Sequence, residues 1–201
     1  SWLSCIEFYM KKNNFYNSSN TTSIPWAYFT ALGCGLNPKI NETWSIVWPA
    51  NVGVSIQGST LKILSKDKLT DAHKKKLFQY CDNNFVKVYS MKNFDFLLFR
   101  FKDKFDNISS FLPKLNTTYR NQLENITGSG YKSWMRFITP IEIEWNNICD
   151  LNSPINSLWS WGWGHMTNSK SEKINSELLI HQKLEETKTI EEIIMLGLQH
   201  W

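Results

Sequence analysis

The sequence predicts a single compact α/β domain of the α+β type, with a central, mostly antiparallel sheet and helices on one side of it. Three observations lead to this prediction. The chain has 201 residues, 42% hydrophobic and 20% charged, which is enough for one buried core. Segments with a two-residue apolar period are followed by segments with a helical period. Four cysteines can supply stabilising disulfides. We divide the chain into a sheet domain, residues 1–158, and a Trp-rich segment with a helical tail, residues 159–201.

The first β elements form a hairpin. Apolar residues recur from Trp44 to Trp48, and Val52, Val54 and Ile56 then alternate with small residues. A turn at 58–59 leads into a second strand at 61–64. This spacing is typical of two antiparallel neighbours.

A helix is predicted after the hairpin. Thr70 is a suitable N-cap, Asp71 complements the helix N-terminus, and the helix continues to about Tyr80. Three residues at intervals of four would face the core: Leu77, Cys81 and Phe85. The basic run 74–76 then faces outward, and such a run is more often a solvated helix face than an anion-binding site.

A second β region follows this helix. Phe85–Tyr89 and Phe94–Phe101 have the composition of central strands. Residues 106–130 are polar and predict a surface segment with a short helix near 119–124. Trp134–Ile138 and Ile141–Trp145 are then predicted as strands. In the latter, alternation would point three side chains inward: Ile141, Ile143 and Trp145.

The tail begins with three indoles spaced by two: Trp159, Trp161 and Trp163. On a strand they would share one face, which is either a core-edge strand or a docking surface for another subunit. Helical periodicity follows, with capping boxes at Ser169 with Glu172 and at Thr189 with Glu192. The apolar faces of the two helices carry these residues: Ile174, Leu178 and His181 on one, and Ile190, Ile193, Ile194 and Leu198 on the other. Such faces cover an apolar surface of their own domain or of a partner.

The sequons indicate a secretory history. Six N-x-S/T sites occur, at Asn17, Asn20, Asn41, Asn107, Asn116 and Asn125. The cysteines fit the same compartment, because none of their spacings is typical of a metal or redox motif. They are Cys5, Cys34, Cys81 and Cys149, which allow three pairings. Each long-range disulfide would stabilise the fold by about 4 kcal/mol.

Several functional classes are disfavoured by composition and motif content. The formal net charge is +4, and basic and acidic residues alternate along the chain, so nucleic acid is not an expected partner. A membrane span and an uncleaved leader are not expected in these residues. No metalloprotease, hydrolase or phosphate-binding motif occurs, and we expect no enzyme, metal or cofactor.

Two kinds of titratable residue are candidates for chemical sites. Glu142 and Glu144 would share one strand face at a spacing that suits a glycosidase pair, although a solvated face is the better interpretation. The four histidines are dispersed and are expected at the surface or an interface rather than at a metal: His73, His165, His181 and His200.

One segment carries a family resemblance. Leu69–Leu77, with the sequence L-T-D-A-H-K-K-K-L, resembles an L-S-D-A-H-K-K-x-L segment in the attachment subunit of Old World arenavirus spike glycoproteins. Weaker similarities occur in the same order along the chain: Leu3–Cys5 with Lys12–Asn14 (family L-S-C-x-K-N-N), Ser90–Phe94 (S-I-P-N-F), Trp134–Arg136 (F-M-R), Trp145–Cys149 (W-x-x-x-C) and Ser153–Pro154 (S-P). Together they span residues 3–154.

The resemblance implies a glycosylated α/β domain with no catalysis. Its partners would be a host cell-surface receptor, protein or glycan, and a membrane-anchored viral fusion subunit that holds it noncovalently in a trimer of heterodimers. It would pass through the host secretory pathway to the virion envelope surface, and leave the spike during endosomal entry. We place the contact with the fusion subunit on the tail: Trp159, Trp161, Trp163, Ile190 and Ile194.

Individual residues carry over from the family by position. The resemblance implies that Cys5 pairs with Cys149, and Cys34 is then assigned to Cys81. The residues that match the family's receptor-contact positions are Lys74, Lys75, Asn93 and Phe94.

The sequence also departs from the family pattern. Phe15–Tyr16 and Ile148 stand where Old World members have histidines, so a histidine trigger for an intracellular receptor is not expected. Asp95–Leu97 replaces the family's N-Q-Y, which leaves the identity of the receptor open. Together with the resemblance, these departures imply a divergent member of the arenavirus family and are compatible with a non-mammalian host.

A second functional class explains part of the same pattern. A secreted carbohydrate-binding or cell-adhesion module would also have sequons, two disulfides and many aromatic residues, here 10 Trp, 7 Tyr and 12 Phe. Association with a membrane-anchored fusion subunit encoded downstream distinguishes the two classes.

Overall fold

The structure, a computed structural model, describes residues 24–102, 108–148, 154–166 and 189–199. Within these ranges the chain forms four α-helices: α1 (Trp26–Gly33), α2 (Asp71–Asn83), α3 (Tyr131–Asn146) and α4 (Ile190–Gln199). The same ranges contain six strands: β1 (Thr43–Ser55), β2 (Gly58–Ile63), β3 (Val86–Tyr89), β4 (Leu97–Phe101), β5 (Thr118–Arg120) and β6 (Ser157–Gly164). All five strand pairings are antiparallel, which confirms the α+β class and the antiparallel sheet.

The long strand β1 is the centre of the sheet. At Val47 it pairs with Leu97 of β4 and with Ser160 of β6, so these two strands lie on opposite edges of β1. At Ala50 it pairs with β6 and also with β2. Hence β4 and β2 follow one another along the same edge of β1, and β6 occupies the other edge. The outer strands are β3, beside β4, and β5, beside β2.

The predicted hairpin is confirmed as β1 and β2. Its turn lies at 56–57, two residues earlier than expected, and Gly58 is the first residue of β2 with φ +114°. An added Cβ on Gly58 would lie 2.1 Å from the side-chain oxygen of Asn121, which itself accepts a hydrogen bond from the Ser59 amide at 3.0 Å. Asn121 therefore fastens the hairpin end to the segment that follows β5.

The helices lie on both faces of the sheet, so the prediction of helices on one side is wrong. Phe99, whose partner on β1 is Ser45, contacts Phe137 of α3. Trp161, whose partner is the next residue Ile46, stacks on Trp26 of α1. Because neighbouring strand residues point to opposite faces, α3 and α1 cover opposite sides. We call these the α3 face and the α1 face. Helix α2 packs on α3 and β3, and α4 packs on α1.

Helix α1 was not predicted. Seven of its eight residues are buried, so it has no polar face and no helical period that a sequence pattern could reveal. Its side chains fill the space between the sheet and α4.

Helix α2 agrees well with expectation. The Thr70 side chain accepts a hydrogen bond from the His73 amide, and Leu77 and Cys81 are buried. The helix continues to Asn83, three residues beyond the expected end. Phe85 is exposed rather than part of the core, because the chain leaves the helix there with φ +57°.

The two strands predicted between Trp134 and Trp145 are wrong, since this segment is helix α3. Its buried residues recur every three or four positions: Trp134, Phe137, Ile138, Ile141 and Trp145. The alternation of residues 141, 143 and 145 matched a strand only because 141 and 145 also share a helix face. Ile143 points away, with 57% of its surface exposed.

Two smaller predictions are also revised. Strand β3 is an outer strand of the sheet rather than a central one. The short helix expected near 119–124 is replaced by β5 and a 3-10 turn at Leu123–Asn125.

The indoles of β6 are core residues. Trp159, Trp161 and Trp163 are at most 5% exposed, so the alternative of a core-edge strand is confirmed and that of a docking surface is wrong. They do not share one face either. Ile46 pairs with Trp161 but Trp44 pairs with Gly164, which leaves an extra residue in β6 at this point. The bulge, with Gly162 at φ +74°, turns Trp163 toward Trp134 of α3.

The tail belongs to the same core as the sheet. The boundary expected at 158/159 falls inside β6, and the predicted Thr189–Glu192 capping box starts α4, with reciprocal hydrogen bonds of 3.1 and 3.2 Å. Ile194 is fully buried and does not form the exposed subunit interface that was expected, whereas Ile190 is partly buried and its place in that interface stays a prediction. The Ser169–Glu172 box, Ile174, Leu178 and His181 lie outside the described residues.

The expected disulfide between Cys34 and Cys81 is wrong. Both residues are buried free thiols in this structure. Burial raises the pKa of each thiol to about 12, with a smaller contribution from Asp82 at Cys81. Cys5 and Cys149 lie outside the described residues, so their pairing stays a prediction.

We therefore expect Cys34 and Cys81 to be present as thiols and to be unreactive in the native protein. Alkylation at pH 8 should leave both unlabelled until the chain is denatured without reductant, because thiolates are the reactive species and few form here. Peptide mass spectrometry of the alkylated, unreduced digest measures this. A Cys34–Cys81 cross-linked peptide would contradict the structure.

The contact between α1 and α4 depends on glycine. An added Cβ on Gly197 would lie 1.8 Å from the carbonyl oxygen of Phe29, and one on Gly33 would lie 2.1 Å from that of Ile193. Both obstacles are backbone atoms that a side-chain rotation cannot move. The two helices can pack at this distance only with glycine at both positions.

Gly197→Ala should destabilise the domain by roughly 1–3 kcal/mol, since the added methyl group forces the two helices apart. Thermal unfolding followed by circular dichroism checks this. Met195→Ala is the matched control, because Met195 lies on the same helix and is 43% exposed. An unchanged melting temperature for Gly197→Ala would show that the helices are not in close contact.

Candidate binding cleft

A cleft of about 350 Å³ lies on the α1 face, where the edge of β1 passes from β4 to β2. The pairing with β4 ends at Val47 and the pairing with β2 begins at Ala50, so the strands diverge around Trp48. The cleft is lined by Trp48, Phe94, Asp95, Phe96, Leu112, Pro113, Lys114, Leu115, Ile190 and Glu191. Its volume is that of a site for a small ligand or a single side chain.

Three aromatic rings form the floor of the cleft. Phe96 packs edge-on against Trp48 at 5.8 Å between ring centroids and stacks on Phe94 at 5.2 Å. Each ring is at most 5% exposed. Phe94 and Phe96 alternate with exposed Asp95 as the chain enters β4, which places the rings in the core and the carboxylate outside.

The Asp95 segment is held by the end of the hairpin. Ser65 donates a hydrogen bond from Oγ to Oδ1 of Asp95 at 2.9 Å, and the Lys66 amide donates to the Asp95 carbonyl at 2.8 Å. Among the residues that the structure describes, no hydrogen bond reaches the second carboxylate oxygen of Asp95. The residues leaving β2 and those entering β4 are thus fixed to one another across the break in the ladder.

Two further charged side chains complete the rim. The Lys114 amide donates to the Tyr119 hydroxyl at 2.7 Å, and the Tyr119 ring packs on Phe111, which anchors the 112–115 wall to β5. Glu191 lies in the first turn of α4, where the helix dipole favours its charge. In the described parts of the chain, no ion pair involves Asp95, Lys114 or Glu191.

The residues expected to contact a receptor are only partly brought together. Phe94 lies in the cleft floor, and exposed Asn93 precedes it in the chain. Lys74 and Lys75 are on α2 and do not line the cleft. Sequence reasoning missed Asp95, Lys114 and Glu191, because no local pattern connects three segments so far apart.

Three of the six sequons lie in the described residues, at Asn41, Asn116 and Asn125, and all three asparagines are exposed. Asn41 and Asn116 have φ of +69° and +57°, a turn conformation that asparagine tolerates well. The Asn125 side chain donates to that of Gln122. Asn17, Asn20 and Asn107 lie outside the described residues.

Glu142 and Glu144 do not form a carboxylate pair. Both are on α3 rather than a strand, and residues two apart on a helix point in different directions. Glu142 accepts a hydrogen bond from Ser157, whereas Glu144 forms an ion pair with Lys76 at 2.7 Å. The glycosidase geometry considered from the sequence is therefore absent at these two residues.

The histidines that the structure describes are not arranged as ligands. His73 is buried, contrary to the expected surface position, with Nδ1 2.6 Å from Thr70 Oγ1 and its ring edge on Trp145. His165 is partly buried. His181 and His200 lie outside the described residues. Among the residues described, no group of three His, Cys, Asp or Glu could hold a metal ion. No described helix has the length and hydropathy needed to cross a bilayer.

Glu142 should make stability depend on pH. Burial raises the pKa of its carboxyl, and the Ser157 hydrogen bond only partly opposes this. The folded state thus disfavours the ionised form of Glu142. The contribution of this carboxyl to the free energy of unfolding therefore falls as pH rises from its pKa in the unfolded state through its pKa in the folded state. We expect Glu142→Gln to melt higher than wild type at pH 7, with the difference vanishing at pH 4 and below. Glu144→Gln, on the same helix but paired at the surface, is the control. A difference that persists unchanged at pH 4 would refute this assignment.

Comparison with known proteins gives no match: no family model, curated protein or solved structure is significantly similar to the chain. The motifs, the exposed sequons and the cleft therefore carry the functional argument.

Proposed function

We propose that this chain is the attachment subunit of a viral surface glycoprotein, of the arenavirus spike type, which binds a host receptor and pairs with a membrane-anchored fusion subunit. The observation that carries the proposal is the ordered series of segments that resemble that family, with Leu69–Leu77 the most specific. In this chain that segment is the N-capped first half of α2, with Leu77 in the core and Lys75 exposed. Its spacing is therefore compatible with a folded, surface-displayed helix.

The sequons support the extracellular part of the proposal. Oligosaccharide transfer needs an accessible asparagine, and Asn41, Asn116 and Asn125 all have exposed side chains on turns or irregular segments. The proposed location is the virion envelope surface, reached through the host secretory pathway.

The cleft supports a role in binding. It combines apolar walls with a few charged groups, the usual composition of a recognition site. Phe94 belongs both to this cleft and to the residues that match the family's receptor contacts. The tail is not proposed again as the surface that meets the fusion subunit, because its indoles and Ile194 are used by the chain's own core.

Co-purification tests this function. The full precursor reading frame, with an affinity tag on this chain, is expressed in eukaryotic cells and membranes are solubilised in mild detergent. We expect a membrane-anchored protein encoded immediately downstream to co-purify, and peptide N-glycosidase treatment to reduce the mass of this chain. The chain expressed without downstream sequence is the control. Recovery of this chain alone from the full frame would contradict the proposal.

The second candidate is a secreted carbohydrate-binding or adhesion module, which the acidic rim of the cleft favours. Such a module would be recovered free in the medium and would bind a glycan array without any partner. Loss of that binding on Phe94→Ala, in a protein that still folds, would favour this second class.

A further inference from the structure

The rim of the cleft carries more negative than positive charge. Asp95 and Glu191 are opposed only by Lys114, and none of the three makes an ion pair within the described residues. Elsewhere in the domain opposite charges do meet, as in Arg100 with Glu42 at 3.4 Å. Unpaired carboxylates beside a concave apolar surface favour a ligand that brings its own positive charge.

The walls favour a narrow ligand over a flat one. The floor rings are too deeply buried to offer a face for a sugar ring to stack on. The partly buried side chains of Leu112, Leu115 and Ile190 instead line a passage of aliphatic surface. The methylene stem of an arginine or lysine packs well on such surface while its charged end reaches carboxylates at the rim.

We propose that the cleft binds a basic side chain, an arginine in preference to a lysine, presented by a protein receptor. The free oxygen of Asp95 and the carboxylate of Glu191 accept hydrogen bonds from the guanidinium, whose planar fork suits carboxylate partners. The Lys114 ammonium group repels the guanidinium. It can form an ion pair with an acidic residue that neighbours the arginine in the receptor. In calling the partner a receptor, this inference rests on the proposed function.

The test uses small probes and the isolated glycosylated chain. N-acetyl-arginine amide is titrated at low salt, and binding is followed by saturation-transfer NMR. N-acetyl-citrulline amide is the matched probe, because it has nearly the same shape without the charge. We expect the arginine probe to bind with millimolar affinity and citrulline to bind at least about tenfold more weakly, since charge-assisted hydrogen bonds are lost.

Variants assign the binding to this cleft. Asp95→Asn with Glu191→Gln should weaken arginine binding at least about tenfold, whereas Glu144→Gln removes an exposed carboxylate elsewhere and should change nothing. Lys114→Gln should strengthen it, because a like charge is removed. Opposite effects from two rim positions cannot result from general misfolding, and circular dichroism verifies the fold of each variant.

Three results would overturn the inference: equal binding of citrulline, unchanged binding in the double variant, or binding of methyl glucoside in place of the arginine probe at this cleft. None of them bears on whether the chain co-purifies with a fusion subunit. Failure of this inference is therefore distinguishable from failure of the proposed function.

Discussion

The first half of strand β1 is enclosed on both edges and both faces, and the rest of the domain is arranged around it. Its backbone hydrogen bonds are shared with β4 on one edge and β6 on the other. Its side chains are all buried from Thr43 to Ala50. Each large apolar side chain buried here stabilises the fold by roughly 2–3 kcal/mol. The two helix layers complete the close packing around these side chains.

This enclosure decides where the other elements can lie. A strand that is apolar on both faces needs cover on both, so α3 occupies one side and the α1–α4 pair the other. The bulge at Gly162 lets β6 supply aromatic rings to both layers, Trp161 to α1 and Trp163 to α3. Gly33 of α1 and Gly197 of α4 then let the backbones of these two helices come into direct contact, which keeps the layer on the α1 face thin.

The cleft is a consequence of the same arrangement. Strands β4 and β2 pair with successive parts of the same edge of β1. The ladder is therefore interrupted where β4 ends and β2 begins. Trp48 lies at that break, Asp95 spans it through Ser65 and Lys66, and α4 brings Glu191 to its margin. The proposed binding site thus lies where β4 gives way to β2 along this edge of β1.

Local signals in the sequence were sufficient for elements whose determinants are neighbours in the chain. The hairpin of β1 and β2, the Thr70 cap of α2 and the Thr189–Glu192 box of α4 were all predicted, because turns and caps depend on residues within four positions. Only the tertiary structure decided the remainder. Residues 141–145 fit both a strand and a helix, and packing on α2 and the sheet selects the helix.

Helix α1 is likewise buried on two sides. It therefore has no polar face by which a sequence pattern could have revealed it. The three indoles of β6 were assigned to one exposed face, since an alternating pattern carries no information about a bulge or about what covers the strand. The rim of the cleft comes from segments near residues 95, 114 and 191, which share no spacing along the chain. The sequence determined the local turns and caps of this protein, whereas the pairing of β1 on both edges determined which surfaces are core and where the cleft between β4 and β2 forms.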